Sequence, residues 1–424
     1  MIKFILKGII RDRSRSLFPV LTVLLGVALT VLGYCYFSGV MTSWIQTSAK
    51  FESGHMKIMS RAYAENADQM PNDLAFIGVN NLIAELKRDF PGLVYAQRIR
   101  FGGLFDVPDE QGETKAQGPI AGLAVNLLSE ESPERELLNL ENAVVRGRLP
   151  EKPGEILISD DFARRLDIQS GQISTLIGST MYGNMATANF TVVGMLRFGI
   201  SALDRGMMLA DLADIQAALD MEDAAGEVLV FSNDFVYQED AAERIAEAFN
   251  TKYSDEEDEF SPVMITFRSQ GGMADYMAYV NTFMGVMIFS FIAVMSIVLW
   301  NAGLMGSLRR YGEIGVRLAL GEDKGHLYRS MIIESLMIGT VGTILGTVLG
   351  LAFSYYLQVK GINLGNMMQS ATMVINDVIR AKVTPASFVV GFVPGLIATF
   401  LGTSISALGI YKRQTSQLMK ELEV

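Results

Sequence analysis

The sequence contains very few histidine and cysteine side chains, the residue types that most often form zinc sites and disulfides. Histidine occurs only at positions 55 and 326, and the single cysteine, Cys35, lies within an apolar run. A protein metal site needs several such ligands in a spaced group, and an ATP-binding P-loop needs the pattern G-x-x-x-x-G-K-[ST], which is absent. We therefore expect no metal site built from histidine and cysteine, no internal disulfide and no P-loop in this chain.

Residues 309–335 read RRYGEIGVRLALGEDKGHLYRSMIIES and combine basic residues with apolar residues at helical spacing. The stretch lies between two long uncharged runs. Gly321 is expected to end a short helix, and Asp323 is expected to cap the helix that follows. A short helix with apolar and charged faces can dock into a groove on a soluble partner. The alternative is a basic loop that only fixes the topology and contacts nothing.

The elements that position this stretch are expected to cross a membrane. Half of the 424 residues are hydrophobic, only 19% are charged, and the mean hydropathy is +0.28. Four runs without a charged residue reach the roughly 20 apolar residues that a bilayer crossing requires. They are residues 17–41, 276–308, 335–359 and 383–411. The intervening block 42–275 has no comparable run and is long enough to form a domain with its own core.

The distribution of charge predicts the orientation of the chain. The block 42–275 carries 38 acidic and 19 basic residues, whereas the rest of the chain carries 8 acidic and 16 basic residues. Short segments rich in lysine and arginine stay in the cytoplasm. We therefore expect both termini and the loop 309–334 to be cytoplasmic and the acidic block to lie outside. The first run is too long for a usual cleaved signal peptide, so we expect a retained anchor.

The predicted fold class is an α-helical membrane protein with four transmembrane helices and an α+β extracytoplasmic domain inserted between helices 1 and 2. Within the block, EILIS and EVLVFS read as strands, DAAERIAEAFNTKY reads as a helix, and LVYAQRIRFGGLFDV reads as a strand broken at glycine. This domain forms either one lobe or two. The predicted segments are an amphipathic interfacial helix (1–16), the first span (17–41), the outer domain (42–275), an extended second span (276–308), a cytoplasmic loop (309–334), the third span (335–359), a short outer loop (360–382), the fourth span (383–411) and a cytoplasmic tail (412–424).

The spans differ in the side chains they present. The third span repeats glycine every fourth residue, which leaves a bare face that another helix can approach closely, as a packing surface or as a moving one. The fourth span has the same four-residue spacing of glycine in GFVPG. The second span interleaves methionine with phenylalanine, which suits either an adaptable substrate wall or lipid-facing and core packing. The residues concerned are Gly339, Gly342, Gly346, Gly350, Gly391 and Gly395 for packing, and Met277, Met284, Met287 and Phe283 for substrate.

The segment YGEIGVRLALGEDKGHLYRSMIIESLMIGTVGTILGTVLG resembles the signature of the MacB/FtsX-like permeases of ABC transporters, which share the type VII mechanotransmission fold. VVRGRLPEKPGEILISDDFARRLDIQSG and FTVVGMLRFG resemble the periplasmic core of that family. Four spans, together with GHMKI just after the first, are most similar to the lipoprotein-releasing permeases of the LolC/LolE type. The tail IYKRQTSQLMKELEV lacks the proline with which many family members close.

The resemblance implies a permease that is not itself an enzyme. Two permease chains, identical or paralogous, would bind a cytoplasmic ABC ATPase dimer, which holds the ATP and Mg, so this chain carries no cofactor. The implied ATPase-coupling residues are Glu313, Ile314, Gly315, Arg317, Leu320 and Gly321. Further expected partners are membrane lipid and a periplasmic chaperone or adaptor, and no nucleic acid is expected.

The implied function is the extraction of lipoproteins from the bacterial inner membrane. Three alternatives stay open at this point. They are a MacB-like efflux or secretion motor that drives a periplasmic adaptor, an FtsX-like regulator of a periplasmic enzyme, and a membrane-anchored binding protein that has no ATPase.

Overall fold

The computed structural model describes residues 13–129, 132–199, 201–309, 316–363 and 378–408. The predicted interfacial helix and the tail 412–424 therefore lie almost wholly outside the described residues. The chain divides into two compact units. The helical unit comprises Met1–Ser43, Tyr276–Ile362 and Ile379–Val424, and the sheet unit comprises Trp44–Asp275 and Asn363–Val378.

The helices and strands of the described residues are as follows. The helices are α1 (Arg13–Ser48), α2 (Arg61–Glu65), α3 (Val79–Asp89), α4 (Glu134–Leu137), α5 (Leu140–Ala143), α6 (Asp160–Arg165), α7 (Ser201–Asp204), α8 (Leu212–Ala218), α9 (Glu239–Tyr253), α10 (Met273–Arg309), α11 (Lys324–Lys360), α12 (Ser387–Val390) and α13 (Phe392–Ala407). The strands are β1 (Met56–Ser60), β2 (Phe76–Ile77), β3 (Leu93–Pro108), β4 (Thr114–Val125), β5 (Val144–Gly147), β6 (Glu155–Ser159), β7 (Ile173–Ser179), β8 (Met185–Leu196), β9 (Met207–Asp211), β10 (Ala224–Ala225), β11 (Glu227–Ser232), β12 (Pro262–Thr266), β13 (Ile362–Asn363) and β14 (Val378–Ile379).

Four helical segments in the described part of the chain are long and apolar enough to cross a membrane. They fall on α1, α10, α11 and the pair α12–α13. The predicted fold class, with a sheet-rich domain between the first two, is confirmed. Helices α10 and α11 each have 37 residues. At a rise of about 1.5 Å per residue they exceed a hydrocarbon core of about 30 Å.

The first helix shows how the helical unit distributes its side chains. Val23, Val27 and Val31 recur every fourth residue and are fully buried. Leu21, Leu25 and Leu29 follow the same spacing on another face and are exposed. Large apolar side chains on the outside of a bundle suit contact with lipid, because hydrocarbon tails solvate leucine as well as a protein interior does.

The first lobe of the sheet unit is a four-stranded antiparallel sheet with the order β12-β1-β11-β3. Two helices, α3 and α9, complete a β-α-β-β-α-β arrangement of the ferredoxin-like kind. Their apolar residues, including Leu86 and Phe249, pack with Ile58 and Val230 of the sheet in one hydrophobic cluster. The helices cover one face of the sheet, which leaves the opposite face for other contacts.

The second lobe is a small barrel inserted between β3 and β11. Six strands form a closed ring of hydrogen-bonded neighbours in the order β3-β4-β9-β6-β8-β7, with β7 pairing β3 again. The barrel encloses a hydrophobic cluster that includes Phe105, Ile158, Phe162 and Phe190. The α+β domain therefore consists of two lobes.

Strand β3 belongs to both lobes, and its structure contradicts one prediction from the sequence. A break at Gly102–Gly103 was predicted, but the strand runs unbroken for 16 residues. Its first half pairs β11, its second half pairs β7, and β4 pairs most of its length. A Cβ on Gly103 would lie 2.6 Å from the carbonyl oxygen of Ile177. Glycine therefore serves the close approach of β7 and does not end the strand.

Candidate functional sites

The turn between α10 and α11 has a defined geometry over its described part, residues 316–323. Residues 316–319 are helical. Gly321 has a φ of +92° and donates its N–H to the Leu318 carbonyl at 3.1 Å, while Glu322 N–H donates to the Arg317 carbonyl at 3.1 Å. These two bonds are the pattern of a Schellman motif. The predicted role of Gly321 as a helix end is confirmed.

The helix that follows begins as the sequence predicts. Asp323 is the N-cap of α11, and its Oδ2 accepts a hydrogen bond from Gly325 N–H at 2.9 Å. Because this bond satisfies one of the free N–H groups at the helix start, α11 has a fixed beginning. The turn therefore has a defined path between two capped helix ends.

The apolar residues of this turn separate into two groups. Leu318 packs against buried Leu327 and Ala407 of the helical unit. Leu320 is 82% exposed, and Val316 is 50% exposed. Leu320 is thus an exposed apolar side chain at the end of a turn of defined geometry. Of the other predicted coupling residues, Arg317 is described and makes contacts within the chain, and Glu313, Ile314 and Gly315 lie outside the described residues.

The glycine face of the third span lies against α1. A Cβ on Gly342 would lie 2.8 Å from Val23 Cβ, and one on Gly346 would lie 2.6 Å from the Leu24 carbonyl oxygen. A Cβ on Gly350 would be 2.9 Å from the Ala28 carbonyl oxygen. Real Cβ atoms are essentially never found this close to other heavy atoms, so the bare face sets the separation of the two helices.

The remaining packing glycines line the contact of α11 with α12–α13. A Cβ on Gly339 would lie 2.6 Å from Thr399 Oγ1, and a Cβ on Gly395 would collide with the hydroxyl of Thr343. Gly391 approaches Val27 and Thr347. Sequence reasoning did not single out Gly26 or Gly402, which approach Met295 and Leu299 of α10. Isolated glycines carry no spacing signal, so only the tertiary structure identifies them.

The predicted substrate-facing residues lie on α10, where that helix meets α1. The rings of Phe283 and Phe37 have centroids 5.5 Å apart, and Phe283 remains 56% exposed. The Cε of Met287 lies 3.6 Å from the Cβ position of Gly33. Met277 and Met284 are half-buried. These four residues therefore form a partly exposed apolar surface of methionine and phenylalanine along one helix.

A group of buried charges occupies the face of the four-stranded sheet opposite its two helices. Arg98 and Glu134 are each 1% exposed and form a two-point ion pair, at 2.8 Å through Nε and 2.7 Å through the second guanidinium nitrogen. Lys57 lies 3.0 Å from Glu227. Burial lowers the pKa of Lys57, although Glu227 opposes this shift. The sequence analysis did not predict this group of buried charges. Its only signal in the sequence is that charged residues alternate with apolar residues along the strands.

His55 lies buried beside the same sheet and is held in its neutral form. Its Nδ1 accepts the Ser232 N–H at 3.2 Å, so this nitrogen carries no proton. The rings of Phe231 and Tyr237 lie 5.4 and 5.8 Å away. Burial lowers the pKa of His55 to about 4, while the Asp234 carboxylate acts in the opposite direction.

A cavity of about 580 Å³ lies at one end of the barrel. It is lined by the segments 69–73 and 179–183 and by Phe101 and Gly102. Tyr182 beside it is 70% exposed. The lining mixes polar and apolar groups. The described residues contain no group of three or more His, Cys, Asp or Glu side chains that could hold a metal ion.

Most of α10, together with the capped turn, α11 and α12–α13, lies within the match to one protein family. Residues 285–415 match the FtsX-like permease C-terminal family. The C-terminal part of the chain is therefore similar to an FtsX-like permease domain. The resemblance predicted from the segment 311–350 is thereby confirmed, since that segment lies wholly within the match. The FtsX-like domain includes the exposed Leu320 and the whole glycine face of α11.

Two curated relatives extend the similarity. The chain is 24% identical over 214 residues to the lipoprotein-releasing system transmembrane protein LolC of Xylella fastidiosa, in strain 9a5c and in strain Temecula1. The alignment covers 49% of this chain and 50% of each relative. The chain thus spans about half the length of the curated relatives it matches.

Among solved structures that resemble part of the chain is one from a MacB protein. It is the periplasmic region of MacB from Actinobacillus actinomycetemcomitans, with a TM-score of 0.35 and 9% sequence identity. The similarity covers 50% of this chain and 89% of that one.

Proposed function

We propose that this chain is the permease subunit of an ABC transporter that couples ATP hydrolysis by a partner to work outside the cytoplasmic membrane. The observation that carries the proposal is the exposed Leu320 at the end of a capped helical turn, inside the FtsX-like domain. An apolar side chain on a short, fixed turn between two membrane helices suits insertion into a groove on an ATPase. The four apolar helices supply the membrane anchor.

The proposed assembly contains a cytoplasmic ABC ATPase dimer and a second permease chain. ATP and Mg are bound by the ATPase, and this chain supplies no catalytic group. Leu320 and Val316 are the apolar contacts, while Leu318 secures the turn to the helical unit. Both termini and the turn face the cytoplasm in this arrangement, as the distribution of basic residues favours.

The proposed work is the release of lipoproteins from the inner membrane. The name of the LolC relatives supports this choice. The exposed methionine and phenylalanine surface around Phe283 also supports it, because flexible apolar side chains adapt to acyl chains of different shapes. A periplasmic chaperone would then accept the released lipoprotein.

The variant Leu320→Asp tests the coupling. The tagged full-length chain is purified from its own membranes, and the ABC ATPase that accompanies it is quantified by mass spectrometry. Losing a buried anchor at the centre of an interface costs about 2 kcal/mol or more, so we expect the ATPase yield to fall at least about tenfold. Folding should be unaffected, since the leucine contacts little of its own chain.

Glu322→Ala is the matched control on the same turn. Its carboxylate is 28% exposed and lies 3.8 Å from His326, so its loss should change the ATPase yield by less than about twofold. Full retention of the ATPase by Leu320→Asp would contradict the proposed role of the turn. Release of a labelled lipoprotein from proteoliposomes on addition of ATP, with the unacylated protein as a control, tests the cargo.

A further inference from the structure

One buried carboxylate of the sheet unit has three arginines around it. Asp160 is the first residue of α6 and is 1% exposed. Arg146 of β5 contacts its Oδ1 through Nε at 2.8 Å and through a terminal nitrogen at 2.6 Å. Terminal nitrogens of Arg164 in α6 and of Arg197, directly after β8, lie 2.8 and 3.7 Å from Oδ2. One negative charge is therefore surrounded by three positive charges.

Most of the hydrogen-bond donors of these arginines are not used within the chain. Arg146 donates one hydrogen bond, through Nε, to Asp160. Within the part of the chain that the structure describes, the side chains of Arg164 and Arg197 donate no hydrogen bond, and Asp160 Oδ2 accepts none. A guanidinium group carries five N–H donors and no acceptor. Two arginines therefore keep unused donors beside the same carboxylate oxygen.

The arginines are accessible to solvent, whereas the carboxylate is not. The side chain of Arg164 is 61% exposed, that of Arg146 is 39% exposed and that of Arg197 is 25% exposed. A ligand that arrives from solvent therefore meets the guanidinium groups and not Asp160. The buried carboxylate holds the three groups close together in the absence of a ligand.

The neighbouring residues include further arginines. Arg165 and Arg205 are exposed, and the Arg165 side chain donates to the Arg205 carbonyl at 2.6 Å. Two more aspartates lie nearby: Asp161 is exposed, and Asp204 is buried and accepts backbone N–H groups with both carboxylate oxygens. The arginines near α6 thus outnumber the aspartates, five to three, whereas the block 42–275 has twice as many acidic as basic residues. This surface is a positively charged region of an acidic domain.

We propose that Arg146, Arg164 and Arg197 form a binding site for a phosphate group. A phosphate group carries about two negative charges, and its oxygen atoms lie close enough together to accept N–H donors from more than one guanidinium. An extended acidic peptide would instead suit arginines arranged in a line, and these three converge on one point. The phosphate belongs either to a soluble compound or to a phospholipid headgroup. The site lies within the sheet unit and does not depend on the proposed transport function.

Hydrogen exchange of the full-length chain in phosphatidylcholine nanodiscs tests the site, with inorganic phosphate as the probe. Chloride at the same ionic strength is the reference, because any salt screens exposed charges. Binding to the folded state slows exchange by a factor of one plus the ratio of ligand concentration to Kd. A Kd of about 1 mM and a phosphate concentration of about 20 mM give about 20-fold slowing, which we expect in residues 160–166. Equal exchange in phosphate and in chloride would overturn the inference.

Two variants assign the effect to the arginines. Arg164→Gln with Arg197→Gln removes the unused donors and keeps the ion pair of Arg146, so the chain should still fold. We expect phosphate to slow exchange of residues 160–166 in this variant by less than about twofold. Arg164→Gln alone is a milder change, because an exposed ion pair contributes little to stability. It should weaken phosphate binding by about fivefold or more, through the loss of charge-assisted hydrogen bonds.

Arg88→Gln is the matched control for the loss of a charge. Arg88 is exposed on α3, and its side chain donates to the Ala84 carbonyl of the same helix at 3.2 Å. This variant should keep the full phosphate effect. An unchanged phosphate effect in both site variants, or its loss in Arg88→Gln, would refute the assignment to the three arginines.

Nanodiscs of phosphatidylglycerol distinguish the two sources of the phosphate group. If the ligand is a phospholipid headgroup, these nanodiscs should slow exchange of residues 160–166 without added phosphate, and the double variant should lose this effect. If the ligand is a soluble phosphate compound, phosphatidylglycerol should leave the exchange unchanged, and added inorganic phosphate should still slow it about 20-fold. Slowing by phosphatidylglycerol that persists in the double variant would show that the lipid acts at another surface and would contradict the headgroup as the ligand.

Discussion

The helical unit and the sheet unit have opposite interiors. Around the contacts of α11, the helical unit buries glycine and small hydroxyl residues such as Gly346, Thr343 and Ser354, and many of its large apolar side chains are exposed, although a cluster around Val27 and Leu299 is buried. The sheet unit buries large apolar residues such as Phe105, and it also buries charges as the pair Arg98–Glu134. The two units of this chain therefore bury different types of side chain.

The difference follows from the solvent of each unit. In hydrocarbon, helices gain nothing by hiding leucine from lipid, so close contact of bare surfaces holds them together. In water, the burial of apolar area drives folding, and charges are tolerated inside only when they are paired and hydrogen-bonded. Removing one partner of a buried ion pair should therefore destabilise the sheet unit. Adding a side chain at a glycine contact should destabilise the helical unit by a different mechanism.

The largest effect is expected from Arg98→Ala in the sheet unit. The change leaves the Glu134 carboxylate buried without a cation and should lower the free energy of unfolding of this unit by about 3–5 kcal/mol. Hydrogen exchange of β3 in the full-length chain measures the loss. Lys115→Ala removes an exposed ion pair with Asp167 and should cost less than about 1 kcal/mol. Similar losses from the two variants would show that burial of the pair is unimportant.

A pH-dependent effect is expected from His55, also in the sheet unit. The folded pKa of about 4 lies below the unfolded value of 6.5, so the unfolded state binds the proton more tightly. The free energy of unfolding should fall as the pH drops from about 6.5 to about 4, by roughly 3 kcal/mol in total, and should not change through this group above pH 7. His55→Gln should lose this dependence. An equally steep profile in that variant would assign the pH dependence to other groups.

A smaller effect is expected from Gly346→Leu in the helical unit. The new side chain would collide with the backbone of α1 and should cost about 2 kcal/mol, seen as a lower midpoint of SDS-induced unfolding of the full-length chain. Gly285→Leu is the control, because a Cβ at this exposed glycine would meet no atom within 4 Å. If both leucines were tolerated equally, bare glycine surfaces would not be what holds the helical unit together.

The smallest effect is expected from a substitution at a helix end, where the stability does not depend on how either unit packs its interior. Asp323→Ala removes the hydrogen bond to Gly325 N–H at the start of α11 and should cost about 1 kcal/mol. The residue lies at a helix end and not in the buried bundle, so the cap is a local interaction that water can replace. Faster hydrogen exchange limited to the first turn of α11 is the expected result, and general loosening of the bundle would contradict it.

Much of the fold could be read from the sequence because its signals are local. Long uncharged runs predicted the spans, and the strands Glu155–Ser159 and Glu227–Ser232 have the bounds of the motifs EILIS and EVLVFS. Gly321 and Asp323 were predicted from their types alone, since helix ends depend on neighbouring residues. The closed barrel could not be predicted, because it depends on the pairing of β7 with β3, about 70 residues apart in the chain.

The candidate sites also divide into features that have a local signal in the sequence and features that have none. The sequence by itself determined which residues are glycines at a spacing of four and which leucines flank the capped turn. Only the tertiary structure decided that Gly342, Gly346 and Gly350 face α1. It also decided that Leu318 turns inward while Leu320 turns outward, and that Arg98 binds the carbonyl groups of Lys50 and Phe51, just after the end of α1. The reason is physical: a hydrogen bond between residues 50 and 98 and a contact between residues 24 and 346 have no local signature, since each exists only after distant segments pack together.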